Sequence, residues 1–311
     1  MASSDPGLNL TLGPIILAVI INTFLYGIVF TQGVTYYTSS GCKRDSWIVK
    51  CLVSWVLLLD TFHSCAVVTV VWEYCITHFG DHAFLEKTTW PYPTTPIFSA
   101  CASVPIQIFL AWRVQILSKS WFIFGVLSTL AVTSGIMALI SAIKAMEASK
   151  ISDFVKLLPV VDAWLGLALF CDLALTTLLF LYLHRSRTGF AKTDNLITRI
   201  TMQSIETASI GTINSILNLI SFAALQTTNL NFVFALISGR FYTNTLLTTL
   251  NSRTKLSEFD GEAINTLPKS IRGTEVHISV ARQHDQSGIA MENYPPRKTS
   301  AGIESSDEVK W

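Results

Sequence analysis

Residues 12–37 read LGPIILAVIINTFLYGIVFTQGVTYY, and no Asp, Glu, Lys or Arg stands anywhere between Asp5 and Lys43. A helix needs about 20 apolar residues to cross hydrocarbon, so this one stretch spans a bilayer with length to spare. Six more apolar stretches follow, and the seven occupy 12–37, 48–74, 96–117, 121–143, 157–183, 200–225 and 230–250. Backbone in lipid satisfies its own hydrogen bonds only as helix or closed barrel, and these runs lack the ten-residue apolar/polar alternation of barrel strands. The expected fold is all-α: an integral membrane bundle of seven transmembrane helices. Pro105 predicts a kink in the third span and Pro159 the opening turn of the fifth.

The whole chain agrees with that reading. Of 311 residues, 50% are hydrophobic and 14% charged, against roughly 25% charged in an average soluble domain. Mean hydropathy is +0.46. A net charge of +1 gives no concentrated basic footprint, so no nucleic-acid partner is expected. Residues 1–10 carry no Lys or Arg and no convincing cleavage site follows, so the first apolar run reads as a retained helix rather than a removable signal.

Lys and Arg are retained on the cytoplasmic side, and their placement orients the bundle. The first, third and fifth connections carry Lys43, Arg44 and Lys50, then Arg113 and Lys119, then Arg185, Arg187, Lys192 and Arg199. The second offers Lys87 against Glu73, Asp81 and Glu86; the fourth is mixed and the sixth uncharged. The N-terminus, residues 1–11, is therefore expected outside and the C-terminus in the cytoplasm. After Asn251 the composition turns to Ser, Thr, Gly, Pro and charges, so residues 251–311 read as a disordered cytoplasmic tail. Thr299, Ser300, Ser305 and Ser306 lie beside charges and are candidate phosphorylation sites through which a signalling partner could act, although a plain solvated tail accounts for them equally well.

Ionisable groups at membrane depth cost about 2.5–3.5 kcal/mol each on insertion scales, so each predicts a partner or a wet cavity. Asp60 lies about twelve residues from the cytoplasmic start of the second span and Arg240 ten from the outer end of the seventh, which puts both near the middle at about 1.5 Å per residue. An Asp60–Arg240 ion pair is the preferred arrangement, with His63 three residues on along the face of Asp60. Glu206 and Asp172 are competing partners for Arg240. In the sixth span Gln203, Thr207, Gly211, Asn214 and Asn218 recur at steps of four, four, three and four, one face of a helix. That stripe, with Asn22, Gln107 and Asn244, defines a candidate polar cluster facing the bundle interior. Interhelical hydrogen bonding, at about 0.6 kcal/mol per pair, explains any single Asn better than ligand binding does, whereas the whole stripe is the better candidate for a pocket lining.

Cys75 and Cys101 both fall near the outer side and form a candidate disulfide; buried small apolar residues are the simpler account of them. The six cysteines show no Cys-x-x-Cys spacing, so no metal is expected. Cys42 beside Lys43 is a candidate palmitoylation site, and Asn9-Leu10-Thr11 a glycosylation sequon set close to the membrane. The last span holds Arg240 rather than the lysine a retinal Schiff base requires. There is no His-Glu-x-x-His, no Gly-x-Ser-x-Gly and no phosphate-cradling loop, so neither an enzyme nor a cofactor is expected.

Three segments together carry a resemblance: Leu57-Leu58-Leu59-Asp60-Thr61-Phe62-His63-Ser64; Ala111-Trp112-Arg113-Val114 with Leu117-Ser118-Lys119; and Ser238-Gly239-Arg240-Phe241-Tyr242-Thr243-Asn244. The chain resembles a family of seven-helix membrane proteins from mushroom-forming fungi (basidiomycetes), known as domain of unknown function 6534. The resemblance implies a seven-helix integral membrane protein and draws attention to Asp60, His63, Arg113, Arg240 and Asn244, without implying a reaction. In that family a Lys usually stands where this chain has Arg240. The expectation for function is a receptor-like sensor in a lipid bilayer, its polar cluster biased by a small-molecule ligand or a proton; a small-solute transporter or channel and a purely structural membrane protein are the alternatives. No Asp-Arg-Tyr switch follows the third span, which reads Ala111-Trp112-Arg113-Val114.

Overall fold

The computed structural model describes residues 6–81, 84, 87, 89–147, 157–185, 191–225 and 228–266. Met1–Ser257 form one compact unit and Glu258–Trp311 a second. The described residues build seven long helices: α1 (Pro6–Thr38), α2 (Trp47–Trp72), α3 (Pro91–Ser118), α4 (Trp121–Glu147), α5 (Leu158–Arg185), α6 (Ala191–Ala224) and α7 (Leu230–Thr266). A single helical turn, Ser40–Arg44, sits between α1 and α2, and α2 runs on as a π-helical turn, Glu73–Thr77. Gln203 keeps its place in α6, but its side chain lies outside the described residues, as do the fourth connection, the side chain of Asn9 and the candidate phosphorylation sites.

Among the described residues, six helical stretches are long and apolar enough to cross a membrane: Leu10–Thr38, Trp47–Thr77, Pro91–Ser118, Trp121–Glu147, Pro159–Tyr182 and Ile205–Ala224. Their outward faces are studded with exposed large apolar side chains, among them Phe24, Leu58, Phe62, Ile143 and Phe170. Water would not tolerate so much apolar surface; acyl chains do. Trp47 and Trp121 open helices at one end of the bundle, with Trp72 and Trp90 at the other, where amphipathic rings suit the headgroup region.

α7 differs, because every described side chain from Thr228 to Ser252 is buried or half-buried. Other helices rather than lipid surround it, which relaxes the demand for apolar residues and leaves room for Arg240, Thr243, Thr245 and Thr249 in its buried faces. It lies parallel to α1: Asn229 bonds the carbonyls of Leu10 and Thr11, Arg240 meets Asn22, and Gln32 meets Asn244, Thr248 and Asn251. The helix also continues past the expected boundary at 250, through Thr266.

The prolines are absorbed in a way that ties helices together. A proline inside a helix leaves the carbonyl four residues earlier without its donor, which hydrocarbon cannot supply. Pro14 strands the Leu10 carbonyl, and the Asn229 amide N–H takes it at 3.2 Å. Pro105 strands that of Cys101, and the Trp55 indole Nε1–H takes it at 3.1 Å. α3 begins at Pro91 rather than at 96, since a proline at the first helical position loses no hydrogen bond.

That earlier start corrects the candidate disulfide. Cys101 lies ten residues into α3, whereas Tyr74, the neighbour of Cys75, packs against Tyr92 near the start of α3 with ring centroids 6.4 Å apart. Cys101 is nine residues past Tyr92, so at about 1.5 Å per residue the two cysteines differ in depth by roughly 14 Å, well beyond the Cα spacing of about 7 Å at which bridging fails. Both cysteines are free thiols. Alkylation in denaturant is expected to add the same mass to each with or without prior reduction, and a thiol at either position that appears only after reduction would contradict this packing.

α3 and α4 are joined through Lys119 alone in the left-handed conformation (φ 56°) and Ser120. This short connection makes them antiparallel neighbours. The buried face of α4 is Leu127, Ala131, Ser134, Gly135, Ala138, Ser141, Ala142 and Ala145, almost entirely small residues. Lipid-embedded helices gain little from apolar burial against each other and instead associate by close approach, which small residues permit.

Candidate functional site

Asp60, His63 and Ser64 occupy one face of α2 at positions i, i+3 and i+4, and all three are buried. Arg240 of α7 is 1% exposed and reaches into that face. Its Nη1 donates to Asp60 Oδ1 in a close ion pair. Nη2 donates to Ser64 Oγ at 3.0 Å and to His63 Nδ1 at 3.1 Å, and Nε donates to Asn22 Oδ1 on α1 at 3.1 Å. The Asn22 amide in turn reaches Ser64 Oγ at 3.4 Å. One guanidinium thus ties three helices, using the planar fork of donors that a lysine lacks.

The bonds also fix the imidazole. A guanidinium only donates, so His63 Nδ1 accepts and the ring proton sits on Nε2, facing Thr95 Oγ1 at 3.5 Å. Thr95 passes its own proton to the Pro91 carbonyl at 2.9 Å, which leaves its oxygen as an acceptor. Phe98 of α3 lies against His63 with ring centroids 5.4 Å apart. Between α2, α3 and α7, Asp60, His63, Phe98, Ser99 and Arg240 line a small pocket with room for about one water molecule. Asp60 Oδ2 and Thr243 Oγ1 are buried without a hydrogen-bond partner of normal geometry among the described residues.

The remaining polar residues fall into separate groups. Asp172 of α5 does not approach Arg240; Gln107 Nε2, Tyr242 OH and Ser215 Oγ donate to its carboxylate at 2.9, 2.7 and 3.3 Å. Asn214 donates to Ser238 Oγ and to the Phe234 carbonyl, pinning α6 to α7. Asn244 accepts from Gln32 Nε2 at 2.6 Å, and Asn218 is buried in α6 away from the ion pair. The single polar cluster expected from the sequence is therefore several clusters strung along α7.

Glu206 is a correction. It is exposed on α6, in line with Ile210, Ile213, Leu217 and Ile220 at steps of four, three, four and three, so it shares the outward face of the helix. It is no partner for Arg240. Ser64, Ser215, Tyr242 and Thr95 complete the sites although none was singled out for them in the sequence. Tyr242 carried a signal, as a polar aromatic two residues from a buried arginine; the hydroxyl residues are too common in membrane helices to carry one.

Fold and site together define an all-helical, multi-pass membrane protein. Within it, residues 168–255, from α5 into α7, match the model of a Family of unknown function (DUF6534). That stretch contains Asp172, Ser215, Arg240 and Tyr242, whereas Asp60 and His63 precede it. No curated protein and no solved structure matches the chain.

Proposed function

We propose that the protein is a seven-span, receptor-like membrane sensor with its N-terminus outside and its C-terminus in the cytoplasm, in which the Arg240 cluster holds the bundle in one of two arrangements. The observation that carries this reading is a single buried guanidinium bonded to groups on both α1 and α2. An ion pair buried this deeply is weak evidence for stability, because desolvation offsets much of the attraction, and registry or switching is the better-attested use. The parallel packing of α1 and α7 supports an odd number of crossings, since two neighbours running the same way enter from the same side. Asp60 Oδ2 and the adjoining small pocket give an incoming hydrogen-bond donor a place to compete with Arg240. The reading involves no catalysis.

The experiment is a thermal-stability screen of purified protein in nanodiscs against a panel of small polar ligands, comparing wild type with Asp60→Asn. A ligand that shifts wild type and not the variant is the expected result. If no compound in a broad panel moves wild type, the sensor reading fails and the cluster is architectural. The second reading, a small-solute transporter, is favoured by the file of buried polar residues along α7 from Asn229 to Asn251. Solute flux into proteoliposomes, abolished by Asp60→Asn, would support it instead.

A further inference from the structure

Asp172 presents a chemical problem that the Arg240 cluster does not solve. It is buried, and no ion pair to it exists among the described residues. Arg240 is already matched by Asp60, and no cation among the described residues is paired with Asp172. The groups facing it are neutral: Gln107 from α3, Ser215 from α6 and Tyr242 from α7, with Cys171 beside it on α5. Of these only Tyr242 and Cys171 titrate. A carboxylate in low dielectric without a countercharge is strongly disfavoured, and ordinarily it takes up a proton instead.

A second observation points to the same ligand. Gln107 is 2% exposed, its Nε2 is committed to Asp172 Oδ1, and its Oε1 has no hydrogen-bond partner among the described residues. The amide that touches this uncompensated carboxyl is thus held at one end only, and nothing on its other end opposes a turn that presents Oε1 to Asp172 in place of Nε2. We infer that Asp172 is a proton-binding site at the junction of α3, α5, α6 and α7, with Gln107 as its switching partner. In the ionised state the carboxylate accepts from three donors, as in the geometry given above. When a proton from water binds one carboxyl oxygen, the new O–H becomes a donor, and a turn of the Gln107 amide about its last torsion brings Oε1 round to accept it. The Ser215 and Tyr242 bonds, made to a charged acceptor in one state and a neutral one in the other, weaken together.

The inference is independent of the sensor reading and holds equally for a transporter. Infrared difference spectroscopy of the full-length protein in nanodiscs, titrated only through pH values above those at which solvent-exposed carboxyls take up protons, tests it directly. A protonated carboxylic acid gives a carbonyl stretch, downshifted in D2O, that an ionised carboxylate lacks. That band is expected in wild type and in Asp60→Asn, and absent from Asp172→Asn, whose amide mimics the neutral acid. Should Asp172→Asn not fold, Gln107→Leu serves: it keeps the band and moves it to higher frequency, because the acid loses its hydrogen-bonded amide, a change that a merely structural glutamine would not produce. No carbonyl band across the folded pH range, a band that survives Asp172→Asn, a band unmoved by Gln107→Leu, or one that responds to replacing potassium by sodium at fixed pH would each overturn the proposal.

Discussion

Replacing Arg240 by Gln is expected to destabilise the folded protein by about 3–5 kcal/mol, the range for breaking a buried ion pair from one side. The loss comes less from the missing attraction than from what is left behind. Asp60, 2% exposed, stays buried with no countercharge, while Asn22, His63 and Ser64 each lose a donor. Asp60→Asn is expected to cost a similar amount by leaving the guanidinium uncompensated. The double variant Asp60→Asn with Arg240→Gln is then less damaged than the two single effects summed, since each change removes the reason the other hurts; a coupling of about 1–3 kcal/mol is expected. Arg240→Lys falls between wild type and Arg240→Gln: it keeps the charge for Asp60, but one ammonium cannot also serve Asn22 on α1 and Ser64 on α2. Thermal unfolding of the four variants in one lipid composition gives the order. Additive single effects, or a neutral Arg240→Gln, would mean that the pair does not exist in the folded bundle.

How much of this was legible beforehand follows from what a sequence encodes about a helix in lipid. Depth is legible, because rise per residue is fixed; counting inward from the span ends picks out Asp60 and Arg240, and these two meet. Azimuth is legible where a pattern repeats. The run Gln203, Thr207, Gly211, Asn214, Asn218 marks one face of α6, and by the same arithmetic Glu206 falls in the line of Ile210, Ile213, Leu217 and Ile220, which should have removed it as a partner for Arg240. What the chain does not encode locally is which helix stands beside which. Asp172 has a suitable depth for several partners, and only the packing of α3, α5, α6 and α7 around it decides that Gln107, Ser215 and Tyr242 take it and Arg240 does not. The prolines misled for a related reason. The third span is expected to begin at 96, yet Pro91 and Pro93 sit in the opening turn of α3, where missing N–H groups are harmless. Shifting the helix start moved Cys101 away from the outer edge and removed the disulfide. The hydropathy of α7 is likewise a property of its neighbours: a helix shielded from lipid by protein is free to be polar.

Gly135→Leu is expected to cost about 3 kcal/mol or more and to be rescued in good part by Val104→Ala, because the α3–α4 contact is set by the absence of a side chain at one point. A Cβ at Gly135 would stand 2.6 Å from Val104 Cγ2, closer than carbon atoms approach. Valine is branched at Cβ and holds one strongly preferred rotamer in a helix, so it cannot swing aside, and the overlap must be relieved by moving the helices apart. Overpacking of this kind costs about 1–3 kcal/mol in ordinary cores. Here the damage is larger than a local shift, since Ala131, Ser134, Ala138, Ser141 and Ala142 all depend on the same close approach and lose contact together. In lipid nothing compensates, because acyl chains fill the gap as readily as the partner helix did. Gly125, exposed on the same helix with nothing within 4 Å of a Cβ built on it, is the control. Gly125→Ala should stabilise by up to about 1 kcal/mol through helix propensity alone. Thermal unfolding of Gly135→Leu, Gly135→Leu with Val104→Ala, and Gly125→Ala in nanodiscs distinguishes the effects. If Val104→Ala leaves the loss at Gly135 undiminished, the two side chains are not opposed and the α3–α4 crossing lies elsewhere along the helices.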